Sequence, residues 1–183
     1  MHPSHEDNSV SRKMTAKRNR LGVGLKWALP TAAYFAVAVS VNYATYPRFV
    51  ISQVSSSVCS ITGLLLVGAG ISVYLAALIN LQAGLRSDGL VTHGLYAIIR
   101  HPLYAASIFL VIPGVAIAFR SWLLLPMPLV AYVACRVVLP AEEVQLLHRY
   151  GDQFMEYRQR TNALFPLRLR WLCGQNKGVK RKD

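Results

Sequence analysis

Hydrophobic and polar positions sort into four long apolar runs joined by short polar connectors. Residues 27–46 are twenty positions without a charge, 58–81 are twenty-four, and 103–119 are seventeen. Residues 122–139 are eighteen positions with one charge, Arg136. A helix needs about 20 apolar residues to cross the hydrocarbon core. The runs therefore predict an all-α integral membrane bundle of four spans. Only Arg120 and Ser121 separate the last two runs, which predicts a tight hairpin. Gly63, Gly68, Ala69, Gly70, Ala76 and Ala77 crowd the second run. Small residues let membrane helices approach closely, so this span is expected inside the bundle. Pro113-Gly114 predicts a kink in span three, and Pro126 and Pro128 should disturb span four.

Beyond Pro140 the pattern changes. Leu147, Tyr150, Phe154 and Tyr157 recur at three- and four-residue steps with Glu143 on the same stripe. This predicts C-terminal amphipathic helices along the interface, broken at Gly151 with Asp152 capping the second piece. The chain then divides into a disordered basic tail (1–20), two N-terminal spans (21–81), a core of connector, hairpin and amphipathic helices (82–166), and a second basic tail (167–183). No internal repeat and no separate soluble domain is legible.

Charge orients the bundle. The net charge is +12, from 20 Lys and Arg against 8 Asp and Glu. Seventeen of the cationic residues fall before span one, between spans two and three, or after span four. Only Arg48 and Arg120 lie on the opposite connectors. This is the positive-inside pattern, and it predicts a multi-pass protein with both termini cytoplasmic. It also argues against a nucleic-acid partner, because the basic residues track membrane topology and suit anionic lipid. The three cysteines, Cys59, Cys135 and Cys173, have neither metal nor disulfide spacing, so no metal site is expected. The first apolar run is too long for a signal core and is expected to remain uncleaved.

Chemistry concentrates at two places. Arg100, His101, Pro102 and Tyr104 stand where the 82–101 connector enters span three, and Glu142-Glu143 lies just past span four. Pro102 suits a first helical position. The free amides of that turn, with Arg100 beside them, make a seat for a carboxylate or phosphate. A carboxylate in a half-dry pocket suits an ammonium or sulfonium. The same residues also suit simpler roles, as headgroup anchors and as a first-turn acidic pair. Arg136, an ionisable residue inside a span, is a candidate for binding an anionic substrate head, or else snorkels to the interface. Tyr96 and His93 suit the same pocket or ordinary interfacial packing.

The stretch from Leu90 to Tyr104, with Arg100-His101-Pro102-Leu103-Tyr104 at its end, resembles the cofactor motif of the isoprenylcysteine carboxyl methyltransferase family. Glu142-Glu143, followed by Leu146, Tyr150-Gly151, Phe154 and Tyr157, resembles it too. The related phospholipid N-methyltransferases share the broad pattern. The resemblance spans roughly residues 81–166. It implies an S-adenosylmethionine-dependent membrane methyltransferase acting on a lipophilic or lipidated substrate. It also implies cofactor contacts from Leu90, Val91, Tyr96, His101, Pro102, Leu103 and Tyr104, with Glu142 on the cofactor's amino group. Arg100 is expected at its carboxylate. Arg136, His101 and Glu143 are the candidate catalytic groups. The family carries a substrate-carboxylate arginine where this chain has Val138, and Arg136 faces elsewhere on a regular helix. The reactions expected are carboxyl O-methylation of an isoprenylcysteine-like lipid or, second, N-methylation of a phospholipid amine. A non-catalytic membrane scaffold and an NADPH-dependent membrane reductase are the rivals. The absence of a G-x-G-x-x-G turn weighs against the reductase.

Overall fold

A computed structural model describes residues 26–86 and 89–165. The expected basic tails, 1–20 and 167–183, lie outside the described residues. Within the described residues the regular structure is helical, with two isolated bridges, Val50 to Ser121 and Ile99 to Asn162, in the connecting segments. We label the helices α1 (26–44), α2 (Ser56–Arg86), α3 (Pro102–Ala118), α4 (Met127–Tyr150) and α5 (Asp152–Arg160).

Helix α2 contains the membrane-capable segment Ser56–Gly84, 29 residues whose most apolar stretch has a mean hydropathy of 2.2. It does not sit inside the bundle as its small residues suggested. Only 11% of its apolar window is buried, and Val58, Ile61, Leu64, Leu65, Leu75 and Ile79 are exposed. The reason lies in the spacing. Gly63, Gly70, Ala77 and Gly84 recur every seventh position, so they make one face and leave the other to large side chains. On that face α3 comes close. A β-carbon on Gly63 would stand 2.6 Å from the Gly114 carbonyl oxygen, and one on Gly70 would stand 2.7 Å from Val111. Further along, Gly84 meets Val91.

Pro113 acts on α3 as its chemistry requires. It has no N–H for the carbonyl four residues back, and its ring crowds that carbonyl. The helix widens into a π turn at Ser107–Val111 and resumes its α form at Ile112. Ala105, Ile108, Ile112 and Ala116 form its buried stripe.

The expected start of span four is corrected. Residues 122–126 form turns, and α4 begins at Met127, with Pro126 at the cap and Pro128 in the first turn. Prolines are tolerated there because first-turn amides have no helical acceptor. The separate amphipathic helix expected after Pro140 is likewise corrected. α4 runs through Pro140 without a break to Tyr150. The break at Gly151 is present, with φ +52. However, Gly151 itself caps α5, and Asp152 is the first residue inside.

Helix α1 is fastened by polar bonds. Trp27 Nε1 donates to the Ala131 carbonyl at 2.8 Å, and the Tyr34 hydroxyl donates to the Leu123 carbonyl at 2.8 Å. At the far end Arg120, in a left-handed backbone conformation (φ 49), donates to the Ile51 carbonyl, and the Ser121 hydroxyl donates to Asn42. The core between α1, α3 and α4 centres on Ile108, Leu124, Ala131, Cys135 and Leu139.

Candidate functional site

His101 caps α3 and Pro102 is its first residue, as the sequence suggested. Pro102 is fully buried and fixes the direction of the turn. The chain just before it pairs with the segment after α5. The Arg100 amide donates to the Asn162 carbonyl at 2.8 Å, and the His101 amide donates to Ala163 at 3.0 Å. Residues 161–165 therefore form a strap against the entry to α3. Leu164 at its end is buried in the main core.

Arg100 secures this strap. One guanidinium nitrogen donates to the carbonyls of Arg158 and Thr161. Its Nε donates to Glu143 Oε1 at 3.0 Å, and the remaining nitrogen is 2.9 Å from the same oxygen. Arg158 Nε stands 3.4 Å from the other Glu143 oxygen. His101 Nε2 lies 3.6 Å from Glu143 Oε1, beyond hydrogen-bonding distance, and is buried with no hydrogen-bond partner. The fold thus brings Arg100 and His101 to Glu143 across 43 residues of sequence. Burial alone pushes the Glu143 carboxyl up. His101, Arg100 and Arg158 outweigh it and hold the group at about 2.

Neighbouring residues on a helix point about 100° apart, and the two glutamates separate accordingly. Glu143 shares a face of α4 with Arg136, seven residues before it. Glu142 shares another face with Cys135. The Tyr104 hydroxyl and Cys135 face the Glu142 carboxyl, and Glu142 Oε2 is buried without a hydrogen-bond partner. Tyr104 packs edge-on against Trp27 at 5.3 Å and lies 6.0 Å from the His101 ring. His101, Pro102, Tyr104 and Glu142 therefore line one side of the α3–α4 contact.

Val91, Tyr96 and Leu103 form a smaller apolar cluster against Ala77 of α2. Tyr96 is held there by its carbonyl, which accepts the Tyr157 hydroxyl at 2.7 Å. Leu90 is half-buried in the connector beside them. On the Glu143 side a cavity of about 350 Å³ opens between α4 and the strap. Arg136, Glu143 and Leu147 line one wall, and Arg100, Arg158 and Ala163 line the other.

Sequence reasoning missed two features. In the sequence Arg158 counts only toward the cationic C-terminal region, yet it grips Glu143. The strap carries no motif, because its contacts use main-chain carbonyls that any residue supplies. Tyr157, already in the resemblance, was the one visible sign that this segment returns to the connector.

A family model described as phospholipid methyltransferase matches residues 58–153, just over half of the chain. No curated protein and no solved structure matches it. The matched region holds both α3 and the two glutamates and stops before Arg158 and the strap. It places the chain in a family related to the isoprenylcysteine carboxyl methyltransferases, without confirming that narrower assignment. The chain belongs to the phospholipid methyltransferase family.

Proposed function

We propose that this protein is an integral membrane methyltransferase that uses S-adenosylmethionine and acts on a lipophilic acceptor. Its family is one of methyltransferases that use this cofactor. The four apolar runs make four spans, with both termini and the site at the cytoplasmic face. α5 and the end of α4 lie at the interface. The observation that carries the reading is the meeting of the α3 entry with the end of α4, Arg100 and His101 at Glu143 and Tyr104 at Glu142.

The residues present fit such a cofactor. Glu142 Oε2 is a buried carboxylate oxygen without a partner, and a cationic amino group supplies what it lacks. The first-turn amides of Leu103 and Tyr104 have no helical carbonyl to bond, and they suit a carboxylate. Val91, Tyr96 and Leu103, with Leu90, provide an apolar wall. Bound S-adenosylmethionine supplies a methyl group on a sulfonium, whose bonding electrons remain with sulfur as the acceptor bond forms. Arg100 acts on the cofactor only indirectly, since its guanidinium is engaged by Glu143 and two carbonyls. It positions the strap and the His101 backbone.

Catalysis then rests on orientation and exclusion of water by α3, α4 and the strap. A carboxylate acceptor needs no general base. That reaction is favoured by the cavity, where three guanidinia face one carboxylate. The family description supports a second reading, N-methylation of a phospholipid amine. For that reaction His101, beside Glu143 at the α3 entry, is the base. Glu143, held at about 2, is too weak to serve.

Titration of the purified protein with S-adenosylhomocysteine tests the cofactor assignment. Saturable binding is expected, and its absence would favour a scaffold. NADPH binding would favour a reductase. Transfer of a labelled methyl group to total membrane lipid, followed by product identification, decides between ester and amine.

A further inference from the structure

The cavity beside Glu143 adjoins the side that carries Glu142 and Tyr104: His101 lies 3.6 Å from Glu143 Oε1 and its ring 6.0 Å from that of Tyr104. Its charge is unbalanced: Arg100, Arg136 and Arg158 surround one carboxylate. Arg100 is satisfied by Glu143 and the strap carbonyls. Arg158 touches the other Glu143 oxygen at 3.4 Å with a side chain 51% exposed, so it retains donors for a ligand. Arg136 has no hydrogen bond or ion pair among the described residues, although it lies in an otherwise uncharged run of α4. It enters the cavity because it lies seven residues before Glu143 on the same helical face. Position 138 is absent from the lining, while 136, 139, 140, 143, 144 and 147 are present. The remaining walls are mostly apolar, with Leu139, Val144 and Leu147 among them.

We infer that this cavity binds the oxyanion of the acceptor lipid, with Arg136 and Arg158 as its ligands and the apolar wall along its chain. The inference rests on the methyltransferase reading for the word acceptor, but the site itself stands on the cavity and its charges. Guanidinia recognise oxyanions through paired, charge-assisted bonds. Glu143 has a different task from its neighbour Glu142: it holds two of the arginines in place and limits the cavity's positive charge. Methylation of a bound carboxylate removes the charge that both arginines hold, so the neutral ester is released while the acid is retained.

The test uses the full-length protein in nanodiscs of zwitterionic lipid. The probes are N-dodecanoylglycine, its methyl ester and dodecyl phosphate, with S-adenosylhomocysteine titrated in parallel. The acid should bind at least tenfold more tightly than the ester. Arg136→Gln and Arg158→Gln should each weaken the acid by tenfold or more. Both should leave the ester unchanged and S-adenosylhomocysteine within twofold. Arg136→Gln breaks no internal bond, so its effect is not one of folding. Dodecyl phosphate bound more tightly through the same arginines would support oxyanion recognition and assign it to a lipid phosphate. Equal binding of acid and ester, or wild-type acid affinity in Arg136→Gln, would overturn the inference. Arg136-dependent acid binding without any S-adenosylhomocysteine binding would leave this site standing and remove the methyltransferase reading instead.

Discussion

Replacing Glu143 by Gln keeps the side chain's shape and removes its charge. In the wild-type protein the carboxylate is 13% exposed and meets Arg100, itself 10% exposed, and the more open Arg158. Its pKa falls from 4.5 to about 2. That difference corresponds to about 3 kcal/mol of stabilisation at neutral pH. The sign follows from linkage. A carboxyl depressed in the folded state stabilises it fully above the unfolded value near 4.5, and the effect is lost as pH falls towards 2. At pH 3 about 1.4 kcal/mol remains. For a chain of this size each kcal/mol moves the melting temperature by roughly 2–4 °C. Glu143→Gln should therefore melt about 6–12 °C below wild type at pH 7, and the gap should shrink by more than half at pH 3. Thermal unfolding in detergent across pH 3–7 measures this. Melting within 2 °C of wild type at pH 7, or a gap that does not change with pH, would refute the clasp as an ionic one.

Other substitutions separate packing from ligand binding. Glu142→Ala and His101→Ala should abolish S-adenosylhomocysteine binding measured by calorimetry while the protein still inserts into membranes. Gly63→Ala places a β-carbon 2.6 Å from a backbone oxygen of α3, and it should cost about 1–3 kcal/mol in thermal unfolding. Gly68→Ala meets nothing within 4 Å and should stabilise α2 by up to about 1 kcal/mol. Tyr157→Phe removes the buried bond to the Tyr96 carbonyl. It should cost about 1–3 kcal/mol and speed hydrogen exchange in the connector.

What could be read from the sequence follows from where the information is carried. Side chains with fixed backbone consequences were legible. Pro102 marked the start of α3, Gly151 marked the break before α5, and Pro113 marked a distortion. The two chemical clusters could be paired because a short hairpin returns α4 beside α3. Errors arose where one residue type permits several outcomes. The small residues of α2 were counted without their phase, yet the seven-residue spacing of Gly63, Gly70, Ala77 and Gly84 already implied a single packed face. Pro140 reads as a boundary in the sequence, yet α4 runs straight through it.

The phase of α4 also explains why adjacent glutamates need not share a task. A step of one residue turns the side chain by about 100°, enough to move a carboxylate from the Tyr104 side to the Arg100 side. Glu142 faces Tyr104 and keeps one buried oxygen without a hydrogen-bond partner, while Glu143 is ion-paired and anchors the strap. A pair that looks redundant as a sequence motif therefore supplies one group for a ligand and one for the framework around it. The same rotation puts Arg136 in the cavity and leaves position 138 out of its lining. An anion site on this chain depends on which face of α4 carries the arginine. Distance from the glutamates along the sequence does not by itself decide it.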